Sequence, residues 1–164
     1  MSERPSWDEY FIAMLNVVKT RSPDPNTQQA CILVRNKRIL ATGYNGNISD
    51  VDTSDFPWTR DISEEWPQAK YGTSIHSEQN ALAQCARYGI ATEGATAYCM
   101  NMPCLVCLQA LWQSGVREII YPKGNTGTPK SGGKASYGVD DPKSKPYYDL
   151  IFKATKDILI IREV

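Results

Sequence analysis

The chain has a single histidine, in Ile75-His76-Ser77-Glu78, and a Pro103-Cys104-Leu105-Val106-Cys107 segment follows downstream. One imidazole and two thiolates make a three-ligand tetrahedral site whose fourth position stays open for water, the pattern of a catalytic rather than a structural zinc. Any fold open to this chain must bring these two segments to one point. Both read as helix starts. Pro103 pre-sets φ just before or at the first helical position. Cys104 and Cys107, three apart, share one face of the first turn. The free N–H groups and positive dipole end of that helix favour thiolate over thiol. Glu78 stands two residues beyond His76 and cannot share its face. It therefore reaches past the metal as a proton shuttle instead of binding it.

Blander readings account for less. A lone histidine is commonly a core or surface residue, and a lone Cys-x-x-Cys is often a redox pair or half of a structural zinc site. A structural site would need a fourth ligand near these three, and none is suggested. A redox pair leaves His-x-Glu unexplained. Cys31, Cys85 and Cys99 lie in apolar stretches and read as small buried hydrophobes. With one histidine, little material is left for a second metal. Five cysteines, an odd number, fit a reducing compartment better than a disulfide framework.

The elements around the ligands can be read from patterning. Ser6 and Glu9 form a capping box, and Trp7, Phe11, Met14, Leu15 and Val18 recur at helical spacing. Pro23 and Pro25 end that helix. Ala30 to Val34 and Arg38 to Ala41, joined by Asn36-Lys37, read as an antiparallel hairpin. Gly43 to about Thr73 reads as one long irregular stretch. A helix is expected from His76 to Tyr88, stopped by Gly89. Strand Ala95 to Met100, helix Cys104 to Ser114 and strand Arg117 to Tyr121 follow as a parallel crossover unit, with Gly115 closing the helix. Gly124 to Pro146 reads as a mobile surface loop. Tyr147 to Thr155 is a last helix and Ile158 to Ile161 a last strand. The expected architecture is α/β, a three-layer α/β/α sandwich on a mixed sheet of about five strands, in one domain over 1–164.

Eighteen basic residues balance eighteen acidic ones. This argues against a stable nucleic-acid partner, which would favour a basic excess. No apolar run approaches the roughly 18 residues that span a bilayer, and the N-terminal stretch lacks a signal pattern. A cytoplasmic protein without a membrane partner is expected.

His-x-Glu followed by Pro-Cys-x-x-Cys is the general signature of zinc-dependent nucleobase deaminases. The likeness extends further. Ser6-Trp7-Asp8-Glu9-Tyr10-Phe11, Arg21-Ser22-Pro23-Asp24-Pro25-Asn26-Thr27-Gln28, Gly43-Tyr44-Asn45-Gly46, Phe56-Pro57-Trp58 and Gly94-Ala95-Thr96-Ala97-Tyr98-Cys99 resemble segments of the deoxycytidylate (dCMP) deaminases, in the cytidine deaminase-like superfamily. The resemblance covers residues 6 to about 123.

It implies hydrolysis of dCMP to dUMP and ammonia, for thymidylate synthesis, with one Zn2+ on His76, Cys104 and Cys107 and Glu78 moving the protons. It implies that Asn45 holds the 3′-hydroxyl and the Ser77 N–H the base O2. Arg21 is the first choice for the phosphate, ahead of Arg60 and Lys123. Tyr121 is read as stacking on the base or as core. The resemblance further implies a homohexamer activated by dCTP and inhibited by dTTP, with Mg2+ accompanying the triphosphate. Gly46, Asn47 and Asp50 are the regulatory contacts it suggests. Alternatives are a deaminase of another cytosine nucleotide or nucleoside, of a riboflavin precursor or of tRNA adenosine, and a non-enzymatic nucleotide- or nucleic-acid-binding zinc module.

Overall fold

Ser6 opens the first helix, α1 (Trp7–Val18), with the predicted capping box: its Oγ accepts from Glu9 N at 3.2 Å, and Glu9 Oε2 accepts from Ser6 N at 2.8 Å. In the computed structural model, residues 4–125, 139, 141–156 and 158–164 are described. The elements after α1 are β1 (Ala30–Arg35), β2 (Arg38–Tyr44), α2 (Ser77–Arg87), β3 (Thr96–Cys99), α3 (Leu105–Gln113), β4 (Glu118–Tyr121), α4 (Lys145–Ala154) and β5 (Ile160–Glu163). Short 3-10 turns cover Lys19–Arg21 and Ala69–Gly72.

The five strands form one mixed sheet in the order β2-β1-β3-β4-β5. β1 runs antiparallel to β2 and β3, and β3, β4 and β5 are mutually parallel. The hairpin turns on Asn36 and Lys37, both at positive φ (51° and 62°), the conformation a two-residue turn needs to match strand twist. Gly89 and Gly115, at φ 65° and 89°, close α2 and α3 as expected.

Side chains alternate across the sheet. Ile32, Val34, Tyr98 and Ile120 face α1 and meet Phe11 and Leu15. Cys31, Leu33, Ala97, Cys99, Ile119 and Tyr121 face the other way, against Ala81 and Cys85 of α2, Leu108 and Leu111 of α3, and Tyr148 of α4. The three layers are therefore present, with one helix on one face and three on the other. Cys31, Cys85 and Cys99 are buried thiols, as read. Among the described residues, no helix is long and apolar enough to cross a membrane.

The chain ends are tied across the α1 face. Arg162 of β5 donates to Asp8 Oδ2 and Glu118 Oε1, each at 2.7 Å, and Tyr98 OH donates to Asp8 Oδ1 at 2.7 Å. Burial works against the Asp8 charge, but the Arg162 and Tyr98 hydrogen bonds hold its carboxyl below the usual range.

Several boundaries differ from the expectation. β2 continues past Ala41 through Tyr44, because Thr42, Gly43 and Tyr44 pair with Ile32, Cys31 and Ala30. Gly43 and Tyr44 are thus strand, not the start of the irregular stretch. α4 starts at Lys145, with Pro146 in its first turn, where the missing N–H is harmless. β5 sits later than Ile158 to Ile161, with Arg162 and Glu163 opposite Ile120 and Tyr121. Most of the expected Gly124 to Pro146 loop, residues 126–138 and 140, lies outside the described residues.

Candidate active site

The two ligand segments are helix caps. His76 is the N-cap of α2 and Cys104 the N-cap of α3, both in extended conformation. Cys104 therefore stands just outside the helix, with Pro103 one residue further out, and Cys107 lies one turn in. Each entry is pinned. Gln79 Oε1 accepts from His76 N at 3.0 Å, and Tyr148 OH of α4 donates to Pro103 O at 2.8 Å. Asn125 clasps the approach to Pro103, donating from Nδ2 to Met100 O and accepting Met102 N at its own carbonyl, each at 2.8 Å.

His76, Cys104 and Cys107 have ligand atoms within 4.8 Å of one another. His76 Nδ1 lies 3.5 Å from Cys104 Sγ and 3.4 Å from Cys107 Sγ. Tetrahedral zinc with ordinary Zn–S and Zn–N bonds sets such N···S pairs about 3.6 Å apart. The donor set and its spacing fit zinc. Hydrogen bonding from Cys107, with a further contribution from His76, pulls Cys104 down to about 4, so a thiolate is favoured there. The hydrogen bond to Cys104 raises His76. Replacing Cys107 by Ala removes one of three ligands from a site that needs all of them. Metal analysis of that variant is expected to find almost no retained zinc, against a full equivalent in the unaltered protein.

Glu78, in the first turn of α2, is buried, and its carboxyl is pushed up by that burial. Ser77 Oγ donates to Glu78 Oε2 at 3.1 Å. The Glu78 charge is felt at Cys107 and at His76. Ser77 is also buried; as the first helical residue, its N–H has no partner within α2.

β2 delivers Asn45 to the same end of the molecule. Gly43 lets β2 approach α2 closely: a Cβ there would collide with Ser77 O and come within 2.5 Å of Ala81 N. Asn80 Nδ2 donates to Tyr44 O at 2.7 Å, and Gly46 pairs with Ile75, the residue before His76. Asn45 is buried, and its amide is fully used. Oδ1 accepts from Ser22 Oγ (2.8 Å) and Gln29 N (2.7 Å), while Nδ2 donates to Thr27 O (2.8 Å) and, at 3.3 Å, to Asp24 Oδ2.

Two residues of this wall escaped the sequence reading as functional candidates. Asp24 and Lys70 form an ion pair, with side chains 0% and 6% exposed. Burial opposes the Asp24 charge, but the Lys70 hydrogen bond and the N–H groups of Asn26 and Thr27 outweigh it and hold the carboxyl low. Asp24 lies in the Arg21–Gln28 segment. Lys70 had no local signal, because its partner is 46 residues away.

The other candidates separate. Arg21 is exposed at the end of the Lys19–Arg21 turn, beside Ser22. Arg60 donates to Thr27 Oγ1, which brings it to the same loop. Lys123 follows β4, its N–H bonded to Val164 O at 2.7 Å. Tyr121 is buried and lines a cavity of about 170 Å³ with Met102, Phe152 and Leu159, so its surroundings are those of a core residue. Gly46 lies against the entry to α2, and the buried Asn47 Oδ1 has no hydrogen-bond partner among the described residues. Asp50 stands apart on the surface, paired with Arg87 at 3.0 Å.

Residues 5–123 match the zinc-binding region of cytidine and deoxycytidylate deaminases. ComE operon protein 2 of Bacillus subtilis is 34% identical over 120 residues, which are 73% of this chain and 60% of that protein. The deoxycytidylate deaminase of Schizosaccharomyces pombe is 33% identical over 121 residues, 72% of this chain and 37% of that one. The chain thus spans less than two thirds of the length of these two curated relatives. Among solved structures, a dCMP deaminase of the cyanophage S-TIM5, crystallised with dCMP and dUMP, superposes with a TM-score of 0.69 at 20% identity, covering 99% of this chain and all of that one.

Proposed function

The chain belongs to the family of cytidine and deoxycytidylate deaminases that share this zinc-binding region, and on that premise we propose that it hydrolyses dCMP to dUMP and ammonia. The observation that carries the reading is the buried Glu78 beside a zinc-spaced His76, Cys104 and Cys107, with the Asn45 wall against the same helix start. Relatives named as deoxycytidylate deaminases and a fold neighbour crystallised with dCMP and dUMP support the choice of nucleotide.

His76 Nδ1 and the two sulfurs would hold the zinc, which when bound supplies a water acidified toward neutral pH. Glu78 takes one proton from the attacking water as the water oxygen bonds to C4 of the base. Its raised affinity for protons, a consequence of burial, suits it to hold the proton and hand it on. It gives that proton to the pyrimidine ring nitrogen, then moves the remaining hydroxyl proton to the amino group, whose bond to C4 breaks, so that one water is consumed and one ammonia leaves. The Ser77 N–H accepts no role in the helix ladder and is available to the base O2. Asn45 takes the 3′-hydroxyl by giving up its longest bond, the 3.3 Å contact to Asp24. Arg21 and Arg60, on the two segments flanking that wall, are the cations offered to the phosphate.

The same reading extends to cytoplasmic supply of dUMP for thymidylate by a homohexamer. It includes activation by dCTP with Mg2+ and inhibition by dTTP. The buried Asn47 Oδ1 beside Gly46, unpartnered among the described residues, is the acceptor this reading assigns to an effector, and the solvated Asp50–Arg87 pair contributes less. A deaminase for another substrate is the second reading, since the metal site alone would serve cytidine, dCTP, a riboflavin precursor or tRNA adenosine. Ammonia release compared across dCMP, dCTP, deoxycytidine and a tRNA anticodon stem separates them. dCMP is expected to be turned over best, and activity confined to the free nucleoside would remove the phosphate from the account.

A further inference from the structure

Among the described residues, Lys70 is the one member of the Asn45 wall that carries a buried positive charge. It lies in the 3-10 turn Ala69–Gly72 and is tied at both backbone ends: its N–H donates to Thr59 O at 2.9 Å, and its carbonyl accepts from Ser74 N at 2.9 Å. One residue beyond Ser74, Ile75 pairs with Gly46 and His76 begins the metal site. The Lys70 side chain points back into the wall and donates to Asp24 Oδ2.

That oxygen is shared. Asp24 Oδ2 is also the acceptor of the 3.3 Å bond from Asn45 Nδ2, while Asp24 Oδ1 accepts from Asn26 N (2.8 Å) and Thr27 N (3.1 Å). A buried carboxylate needs compensation, and Lys70 supplies it. With the charge compensated, Asn45 Nδ2 loses little by leaving Oδ2. Without Lys70, Asn45 Nδ2 would be the donor left to Asp24 Oδ2 among the described residues.

We propose that Lys70 is a positioning residue for the nucleotide sugar: by pairing with Asp24 Oδ2 it frees the Asn45 amide to take the 3′-hydroxyl. This rests on the dCMP reading above and adds a device for reading the sugar. It differs from a purely structural role in one respect. A fold defect weakens every substrate alike, whereas loss of this device selectively removes the advantage conferred by the 3′-hydroxyl.

The test compares KM and kcat for dCMP and 2′,3′-dideoxycytidine monophosphate in the unaltered zinc-loaded protein and in Lys70→Met. Lys70→Met is expected to raise KM for dCMP about tenfold, the scale of one hydrogen bond to a neutral group, with kcat within about threefold. KM for the dideoxy analogue should change far less, so the preference for dCMP collapses. Adding Asp24→Asn to Lys70→Met removes the uncompensated charge and should restore the preference. Lys70→Gln, which keeps a donor for Asp24, covers the case in which Lys70→Met does not fold, and should lose preference in the same direction. Equal losses on both substrates, or an unchanged preference, would overturn the inference alone. Failure of the unaltered protein to turn over dCMP would overturn the functional reading and the inference together.

Discussion

Glu78→Gln is expected to keep its zinc and to lose turnover of dCMP by a factor of about 10²–10⁴ or more, the range for a removed general acid-base group. The amide matches the carboxylate in shape and can still accept from Ser77 Oγ, which bonds Glu78 Oε2 at 3.1 Å. It cannot take a proton from water and release it to the ring nitrogen and amino group. His76, Cys104 and Cys107 are untouched, so metal content should remain at one equivalent. KM should move little, because the loss falls on the chemical step. Metal analysis together with a steady-state kinetic curve checks this. Near-normal kcat in the zinc-loaded variant would remove Glu78 from the proton path.

Gly43→Ala is the second large effect, and it acts without touching a reacting group. An added Cβ collides with Ser77 O and reaches Ala81 N at 2.5 Å and Ala81 Cβ at 3.0 Å. Two of these three are backbone atoms of α2, so no side chain can rotate out of the way. Either α2 moves outward, carrying His76 and Glu78 with it, or β2 breaks its pairing near Cys31. Overpacking of this kind typically costs about 1–3 kcal/mol and sometimes more. Thermal denaturation should show a clear drop in melting temperature, and activity should fall further than stability alone explains. Wild-type kcat in Gly43→Ala would mean that the β2–α2 approach does not set the site.

Much of this arrangement was legible because its signals are local. The capping box at Ser6 and Glu9, the positive-φ positions at Gly89 and Gly115 and the Asn36-Lys37 turn each lie within a few residues of what they determine. The clustering of His76, Cys104 and Cys107 was legible for the same reason: the two cysteines are a turn apart, and a lone histidine leaves no choice of imidazole. What escaped was set by partners distant in sequence. β2 looked finished at Ala41 because its apolar pattern stops there, yet its ladder with β1 runs on to Tyr44, and glycine at 43 is required by the helix packed above it. β5 was read too early because Ile158 and Leu159 are apolar. Its register is fixed instead by pairing with β4, and Arg162 meets Asp8, 154 residues away. Lys70 carried no pattern at all. In isolation a lysine reads as a solvated charge, and only the fold brings Asp24 to it.

Asn45 shows a different gap. Its identity was legible in Gly43-Tyr44-Asn45-Gly46, but its four internal hydrogen bonds were not. They make it a clamp on the Ser22–Gln29 loop. Tyr121 and Asp50, drawn from similar reasoning, stand in the core and on the surface respectively.

The most direct measurement of the central claim is the product balance of the purified, zinc-loaded protein on dCMP. The account predicts dUMP and ammonia formed one for one, with both abolished when the zinc is removed by chelation and both restored when it is returned. A protein that holds one zinc on His76, Cys104 and Cys107 yet forms neither dUMP nor ammonia from dCMP would contradict it.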